Sequence, residues 1–200
     1  MSAESQFSKR ANDAPAIAEP CVFPYKDIAV QVTLGSLIQE HADAIVCPAN
    51  SFGYMRGGIA AVIRECAGRE VEEEVLKLAP IRVGQAVATT AGALKARWIF
   101  HAPTMQEPVE VALPASITAA MRACFDLAWR KRIRSISFPG MGTGTGTLHF
   151  GEAVELMMNA IRDAVDRPHT IRHVHLVAMR PDLYRTFLSS AEKLFGPRQP

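Results

Sequence analysis

The stretch ISFPGMGTGTGTLHFGEAVELMM (Ile136–Met158) contains the pattern that decides the fold. A short apolar run, Ile136–Phe138, stops at Pro139, and four glycines then alternate with other residues from Gly140 to Gly146. Apolar residues at helical spacing follow. The order predicts a buried strand, a glycine-rich loop and a helix. The loop is either a connector or a surface on which a ligand meets bare backbone, and the abrupt end of a buried strand favours the ligand loop.

The same alternation of short apolar runs and helical patterns extends through the chain and is typical of an α/β fold with three layers. Helical spacing predicts helices over Ile59–Arg64, Glu70–Lys77, Pro114–Arg132, Gly151–Val165 and Leu183–Phe195. The apolar runs predict strands at Ile28–Thr33, Ala44–Pro48, Gln85–Thr90, Trp98–Ala102, Ser135–Phe138 and His173–Met179.

Composition narrows the class of protein. The 200 residues are 48% hydrophobic and 21% charged, which is typical of a globular chain. A net charge of +2 without a dense basic tract gives no strong signal for nucleic-acid binding. The six histidines show no metal-ligand spacing and the four cysteines no paired motif, so we expect no metal, no cofactor and reduced thiols.

The first twenty residues, Met1–Pro20, are polar or rich in Ala and Pro, and they lack the apolar run of a signal peptide. They are predicted to form a flexible tail before a single domain over residues 21–200. No later segment has the length and apolarity of a membrane span. We therefore expect a cytoplasmic protein with no membrane partner.

Three polar or glycine-rich segments follow predicted strands, where open α/β sheets place their ligands. They are Leu34–Ile38, Cys47–Ala60 and the opening stretch. Gly57 and Gly58 precede a helical run, so unpaired N–H groups there favour an anion. The spacing excludes a P-loop, because no Lys follows a glycine, and it departs from the Rossmann fingerprint, because the pattern is G-x-G-x-G.

Five motifs in register resemble the macro domain family, and the resemblance covers roughly residues 28–179. They are DAIVCPANS (Asp43–Ser51), GGIAAVI (Gly57–Ile63), GQAVATTAG (Gly84–Gly92), IFHAPT (Ile99–Thr104) and FPGMGTGTG (Phe138–Gly146). The resemblance implies a three-layer α/β/α sandwich with a mixed central sheet. It also implies binding of ADP-ribose or a related nucleotide, or hydrolysis of ADP-ribose from a modified protein, nucleic acid or metabolite.

The resemblance also implies a set of site residues. Asn50 falls where the family contacts the distal ribose, and it is the candidate catalytic residue if the protein is a hydrolase. The alternative role for Asn50 is an Asx turn that holds its own loop. Two loops are predicted to bind the diphosphate. The predicted ligand-binding residues are Ser36, Leu37, Ala49, Asn50, Arg56, Gly57, Gly58, Ile59, Gly142, Thr143, Gly144, Thr145 and Gly146.

Two positions depart from the family pattern. Ser36 stands where the family has an Asp that accepts from the adenine amino group, and losing such a bond costs about 1.5–3 kcal/mol. Ala60 stands where many hydrolases of the family have an Asp that activates water, and alanine transfers no proton. Base preference and catalysis therefore stay open. A third reading is a degenerate scaffold for protein association.

Four further side chains have two interpretations each. Cys47 is a nucleophile only if a base activates it, and it otherwise packs as a small buried residue. His101 belongs to the site or is a satisfied core histidine. Phe52 and Tyr54 stack on a base or ribose, or they pack the loop.

Overall fold

The fold is described from a computed structural model that places residues 19–108, 110, 112–144 and 148–199. Residues 1–18 of the predicted tail and the predicted ligand residues Thr145 and Gly146 lie outside this range. The strands are β1 (Cys21–Tyr25), β2 (Ile28–Leu34), β3 (Ala42–Asn50), β4 (Val87–Thr90), β5 (Ala96–Met105), β6 (Ser135–Phe138) and β7 (His173–Ala178). The helices are α1 (Gly58–Ala67), α2 (Glu70–Leu78), α3 (Pro114–Lys131), α4 (Phe150–Val165) and α5 (Pro181–Phe195), with a 3-10 helix at Leu37–Gln39.

The seven strands form one mixed sheet in the order β1-β2-β7-β6-β3-β5-β4. The five strands from β2 to β5 in this order run parallel to one another, and β1 and β4 pair antiparallel at the two edges. The carboxyl ends of the five parallel strands therefore meet at one edge of the sheet. In open α/β sheets this edge is where ligands bind.

Helices cover both faces of the sheet, which confirms the predicted three-layer sandwich. Helices α3, α4 and α5 pack on one face, where the core includes Ile117, Met121, Val154, Met158, Ile161 and Phe187. Helices α1 and α2 pack on the other face through Ile63, Ala67, Val71 and Val75. The apolar spacing that predicted these helices is thus the spacing of core contacts. No helix within the described residues combines the length and apolarity needed to cross a lipid bilayer.

All six predicted strands are present, and β1 was missed. This strand is only five residues long, contains Pro24 and forms the sheet edge, where a missing backbone donor costs no ladder bond. It joins β2 through a tight turn in which Lys26 adopts a φ of +52°. Strands β3 and β5 are longer than predicted, because each continues through a proline, Pro48 and Pro103.

Candidate functional site

A cavity of about 580 Å³ opens at the edge where the parallel strands end. Its volume is within the range of small-molecule sites. It is bounded by the segments that follow β2, β3, β5, β6 and β7. Ten of the predicted ligand residues line it: Leu37, Ala49, Asn50, Arg56, Gly57, Gly58, Ile59, Gly142, Thr143 and Gly144. That these residues contact a ligand stays a prediction.

A bulge between β3 and β5 shapes one end of the cavity. The strands pair in regular register up to Ala49 and Pro103, and Asn50 then pairs with Met105, so that Thr104 is the extra residue. Bulges redirect side chains next to functional sites. Thr104 lines the cavity, and its buried hydroxyl has no hydrogen-bond partner among the described residues. Buried hydroxyls nearly always have a partner, so this one is an exception, and it lies inside the bulge rather than on an accessible surface.

Asn50 holds the loop that follows β3. Its Oδ1 accepts from the backbone N–H groups of Phe52 (3.1 Å) and Tyr54 (3.3 Å), and its Nδ2 donates to the carbonyl of Tyr54 (2.9 Å). The Asx-turn role is therefore present in the structure. Both lone pairs of Oδ1 are occupied, while Nδ2 keeps one N–H for a further acceptor. Asn50 can donate to a ligand in this arrangement but cannot accept from one.

A second set of contacts, which we call the Met55 latch, fixes the same loop from the side of α1 and α2. The N–H of Met55 donates to Oε1 of Glu72 (2.9 Å), and its carbonyl accepts from Nη1 of Arg64 (3.5 Å). Nε of Arg64 lies 3.4 Å from Oε2 of Glu72. Both side chains are mostly buried, so the latch is little screened by solvent. The loop thus reaches the cavity in a fixed conformation.

The loop leads into the N-terminus of α1, which is open to the cavity. Gly57 is the N-cap residue, and the described residues provide no side-chain cap and no acidic residue in the first turn. Gly58 has a φ of +55°, a conformation that favours glycine. A Cβ at Gly57 or Gly58 would have no described atom within 4 Å. The first-turn N–H groups and the positive end of the helix dipole therefore lie beside the cavity, which is the arrangement of an anion site.

The second predicted phosphate loop, Gly140–Gly144 in the described residues, is held by packing. Gly142 has a φ of +73°, and a Cβ there would lie 2.2 Å from Cδ1 of buried Ile117. A Cβ at Gly140 would lie 2.6 Å from Oγ1 of Thr143, which donates to the carbonyl of Gly140 (2.9 Å). A Cβ at Gly144 would have no described atom within 4 Å. Gly144 alone of these three leaves room for a ligand.

The charged residues that line the described part of the cavity are Arg56 and Arg180, and this lining includes no carboxylate, imidazole, thiol or amine. The guanidinium of Arg56 lies 5.1 Å from the ring centre of Tyr54, which stacks on Phe52 at 5.9 Å. Arg180 was missed by the sequence analysis. It lies two residues after the end of β7, so the rule that located the other strand ends also points to it.

Ser36 is a predicted site residue that the structure places elsewhere. It is 4% exposed at the start of the 3-10 helix, and it is not among the residues that line the cavity. The chain turns into the 3-10 helix at this point, and Leu37 lines the cavity in its place. Ala60 also lines the cavity and provides no group for proton transfer there.

Cys47 and His101 lie inside the sheet rather than at the cavity. Burial raises the pKa of the Cys47 thiol to about 12, so it stays protonated and is a poor nucleophile. Burial lowers the pKa of His101 to about 3, and its Nε2 lies 2.9 Å from Oγ1 of Thr89. His101 is therefore a neutral core residue. The described residues contain no cluster of three His, Cys, Asp or Glu side chains that could hold a metal ion.

Comparison with known proteins gives a consistent result. The macro domain family model matches residues 46–157. An uncharacterised protein of Aquifex aeolicus (strain VF5) is 40% identical over 169 residues, which cover 84% of this chain and 99% of that protein. The chain is also similar to two solved macrodomains. The Oceanobacillus iheyensis macrodomain with ADP has a TM-score of 0.77 at 20% identity, covering 90% of this chain and 98% of that one.

The Trypanosoma brucei macrodomain in complex with ADP-ribose has a TM-score of 0.71 at 23% identity, covering 82% of this chain and 68% of that one. These structural similarities support the fold. The family match and the identity to the Aquifex protein establish the family. The chain belongs to the macro domain family.

Proposed function

We propose that this protein binds ADP-ribose or a related nucleoside diphosphate, and that backbone amides provide most of the hydrogen bonds to the diphosphate. One observation carries the proposal. The uncapped N-terminus of α1, at Gly57 and Gly58, opens into the same cavity as Gly144, and at all three positions no described atom lies within 4 Å of the point where a side chain would begin. Open glycines beside unpaired N–H groups allow phosphate oxygens to reach the backbone.

The extent of the cavity supports a long ligand. Its lining comes from the ends of strands from β2 to β5, which are five neighbouring strands of the sheet. Four spacings of about 4.8 Å separate them, so the strand ends span roughly 19 Å. A nucleoside diphosphate that carries a second sugar has an elongated shape suited to this span. The two structural relatives named above contain ADP and ADP-ribose.

The charge of the cavity also supports an anionic ligand. Arg56 lines it, Arg180 lines it with its charge already paired to Asp182, and the described lining itself has no carboxylate to repel phosphate. Such a lining attracts a diphosphate and steers its approach. In this model of binding Asn50 donates its remaining Nδ2–H to a sugar hydroxyl, because its oxygen is already occupied by the loop.

Titration calorimetry tests the proposal with three ligands: ADP-ribose, ADP and adenosine. We expect ADP-ribose and ADP to bind, and adenosine to bind at least about tenfold more weakly, a difference of roughly 1.4 kcal/mol that reflects the diphosphate contacts. Absence of binding by all three at millimolar concentration contradicts the proposal and favours the scaffold reading. Equal affinity for adenosine and ADP contradicts the role of the amides.

Hydrolysis is the second candidate function, and the lining argues against a conventional mechanism for it. A hydrolase needs a group that positions or deprotonates water, and Ala60 supplies none. Water activation then depends on the phosphate of the substrate itself. The assay follows release of ADP-ribose from an ADP-ribosylated protein by the wild type and by Asn50→Ala. We expect no turnover above buffer, and turnover that Asn50→Ala abolishes would identify a hydrolase.

A further inference from the structure

The cavity has an apolar end at the carboxyl termini of β2 and β7, which we call the β2/β7 end. Leu37, Val177, Met179 and Leu183 line it. Met179 is 48% exposed, so its side chain offers an apolar surface at the mouth of the cavity. The opposite end, at β3 and β5, has the unused Nδ2–H of Asn50, which suits a sugar hydroxyl. A flat nucleobase is therefore best accommodated at the β2/β7 end.

Arg180 is the charged residue that lines the β2/β7 end, and its guanidinium is held on two sides. Nε donates to Oδ1 of Asp182 (3.1 Å) and Nη2 donates to Oδ2 (2.5 Å), and this pair of bonds orients the plane of the guanidinium. The guanidinium also lies 5.0 Å from the ring centre of Phe150. An arginine carries five N–H groups, and this pairing uses two, so donors on Nη1 and Nη2 stay available to a ligand.

Several acceptors in and next to this end already accept a hydrogen bond from the protein. The carbonyls of Ser36 and Leu37 accept from Gln39 (3.0 Å) and Glu40 (3.2 Å), and the carbonyl of Ala178 accepts from Gly35 (2.9 Å). Oδ1 of Asp182 accepts from the N–H of Leu183 (2.9 Å) as well as from Arg180. Among the described side chains that line the β2/β7 end, the hydrogen-bonding groups available to a base are therefore the donors of Arg180.

We propose that the β2/β7 end selects a base with a carbonyl group, guanine or hypoxanthine, over adenine, and that Arg180 determines this selection. The inference rests on the proposed binding of a nucleoside diphosphate in the same cavity. Guanine presents two acceptors, O6 and N7, that match an arginine fork, whereas adenine presents an amino donor at the equivalent edge. Two donors facing one another leave both without a partner, which costs affinity.

A further phosphate on the ligand is a poorer match for Arg180. Asp182 already compensates the charge of the guanidinium, so an added dianion would lack a full countercharge. A neutral carbonyl needs only the available N–H groups. The chemistry at this end therefore favours a base carbonyl over a phosphate.

Calorimetry with GDP, IDP and ADP tests the inference, because the three ligands share a ribose diphosphate and differ in the base. For the wild type we expect GDP and IDP to bind about fivefold more tightly than ADP, equivalent to roughly 1 kcal/mol. Arg180→Leu removes the N–H donors. Arg180→Lys keeps the positive charge but lacks the paired N–H groups of the guanidinium. In both variants the ratio of the affinity for GDP or IDP to the affinity for ADP should fall to about one. Arg185→Leu, an exposed position of α5 outside the cavity lining, is the matched control and should keep the wild-type ratio.

The outcomes separate this inference from the proposed function. If ADP binds as tightly as GDP to the wild type, base selection is overturned while diphosphate binding stands. If Arg180→Leu weakens all three ligands equally, Arg180 contacts phosphate, which also overturns the inference. If none of the three binds, both proposals fail. Thermal unfolding of each variant confirms that the ratio is measured on folded protein.

Discussion

The two glycine-bearing loops at the cavity look alike in the sequence, but different interactions hold them in the structure. In the first loop, which leads from Asn50 to Gly58, side-chain hydrogen bonds fix the backbone, through Asn50 and through the Met55 latch. In the second loop, Gly140–Gly144, close packing fixes it, because Gly142 lies against Ile117. A glycine thus borders the open cavity in one place and packs against the core in another.

The difference assigns a separate role to each glycine. At Gly57, Gly58 and Gly144 a Cβ would meet no described atom within 4 Å, so these residues leave the proposed ligand surface clear. At Gly140 and Gly142 a Cβ would collide with neighbouring side chains, so these residues allow close packing. Substitutions at the open positions should therefore affect binding, and substitutions at the packed positions should affect stability.

Gly144→Glu should produce the largest effect on binding. Its side chain would place a negative charge in the space proposed for the diphosphate, and we expect affinity for ADP-ribose to fall by more than about 100-fold, roughly 2.7 kcal/mol. The free energy of unfolding should change by less than about 0.5 kcal/mol, because the position packs against nothing described. Calorimetry and urea unfolding measure the two quantities. Unchanged affinity would show that the second loop is not part of the site.

Gly142→Ala should lower the stability of the protein more than its affinity for the ligand. The new Cβ meets Cδ1 of Ile117, and alanine is strained at a φ of +73°. We expect the free energy of unfolding to fall by about 2 kcal/mol. Urea unfolding of this variant and of Gly144→Ala, the matched control at an open position, gives the comparison. Equal stability of the two variants would remove the distinction between packed and open glycines.

Glu72→Ala should weaken binding without touching the ligand. It removes the acceptor for the N–H of Met55 and the partner of Arg64, so the first loop loses its latch. We expect affinity for ADP-ribose to fall about fivefold to tenfold, because ordering the loop then opposes binding. Glu73→Ala, at an exposed position of the same helix, is the control and should bind as the wild type does. Wild-type affinity of Glu72→Ala would show that the latch does not position the loop.

Arg56→Gln should give the smallest effect. Arg56 is exposed at the rim, where charges act mainly on the rate of association and are screened by salt. We expect affinity to fall about twofold to fivefold at low ionic strength and the difference to shrink at high salt. Arg69→Gln, at an exposed position outside the lining, is the control. A loss that salt does not reduce would mean that Arg56 makes a buried contact with the ligand.

Most of the architecture could be predicted from the sequence, because buried strands and amphipathic helices carry their periodicity in the residues themselves. The prediction failed where tertiary context decides. Strand β1 has little signal of its own and forms by pairing with β2. The extension of β3 begins after Pro48 and that of β5 passes through Pro103, and a propensity argument expects a strand to end at such residues.

The position of the cavity could be predicted, because it lies at the strand ends. The side-chain contacts within it could not be predicted. Nothing in the spacing of Met55 and Glu72 shows that they meet, because their contact depends on how α1 and α2 pack. Gly142 and Gly144 look alike in the sequence, and only their neighbours in space distinguish them. Arg180 also lies just after a strand, so its place at the cavity could be predicted from the same rule, but no glycine accompanies it.

The central claim, that backbone amides at the N-terminus of α1 bind the diphosphate, is tested most directly by NMR of ¹⁵N-labelled protein titrated with ADP. We predict that the largest chemical-shift changes fall on the amides of Gly58, Ile59 and Gly144, and that adenosine leaves these amides nearly unshifted. If ADP binds while these amides keep their shifts, the diphosphate lies elsewhere and the account is contradicted.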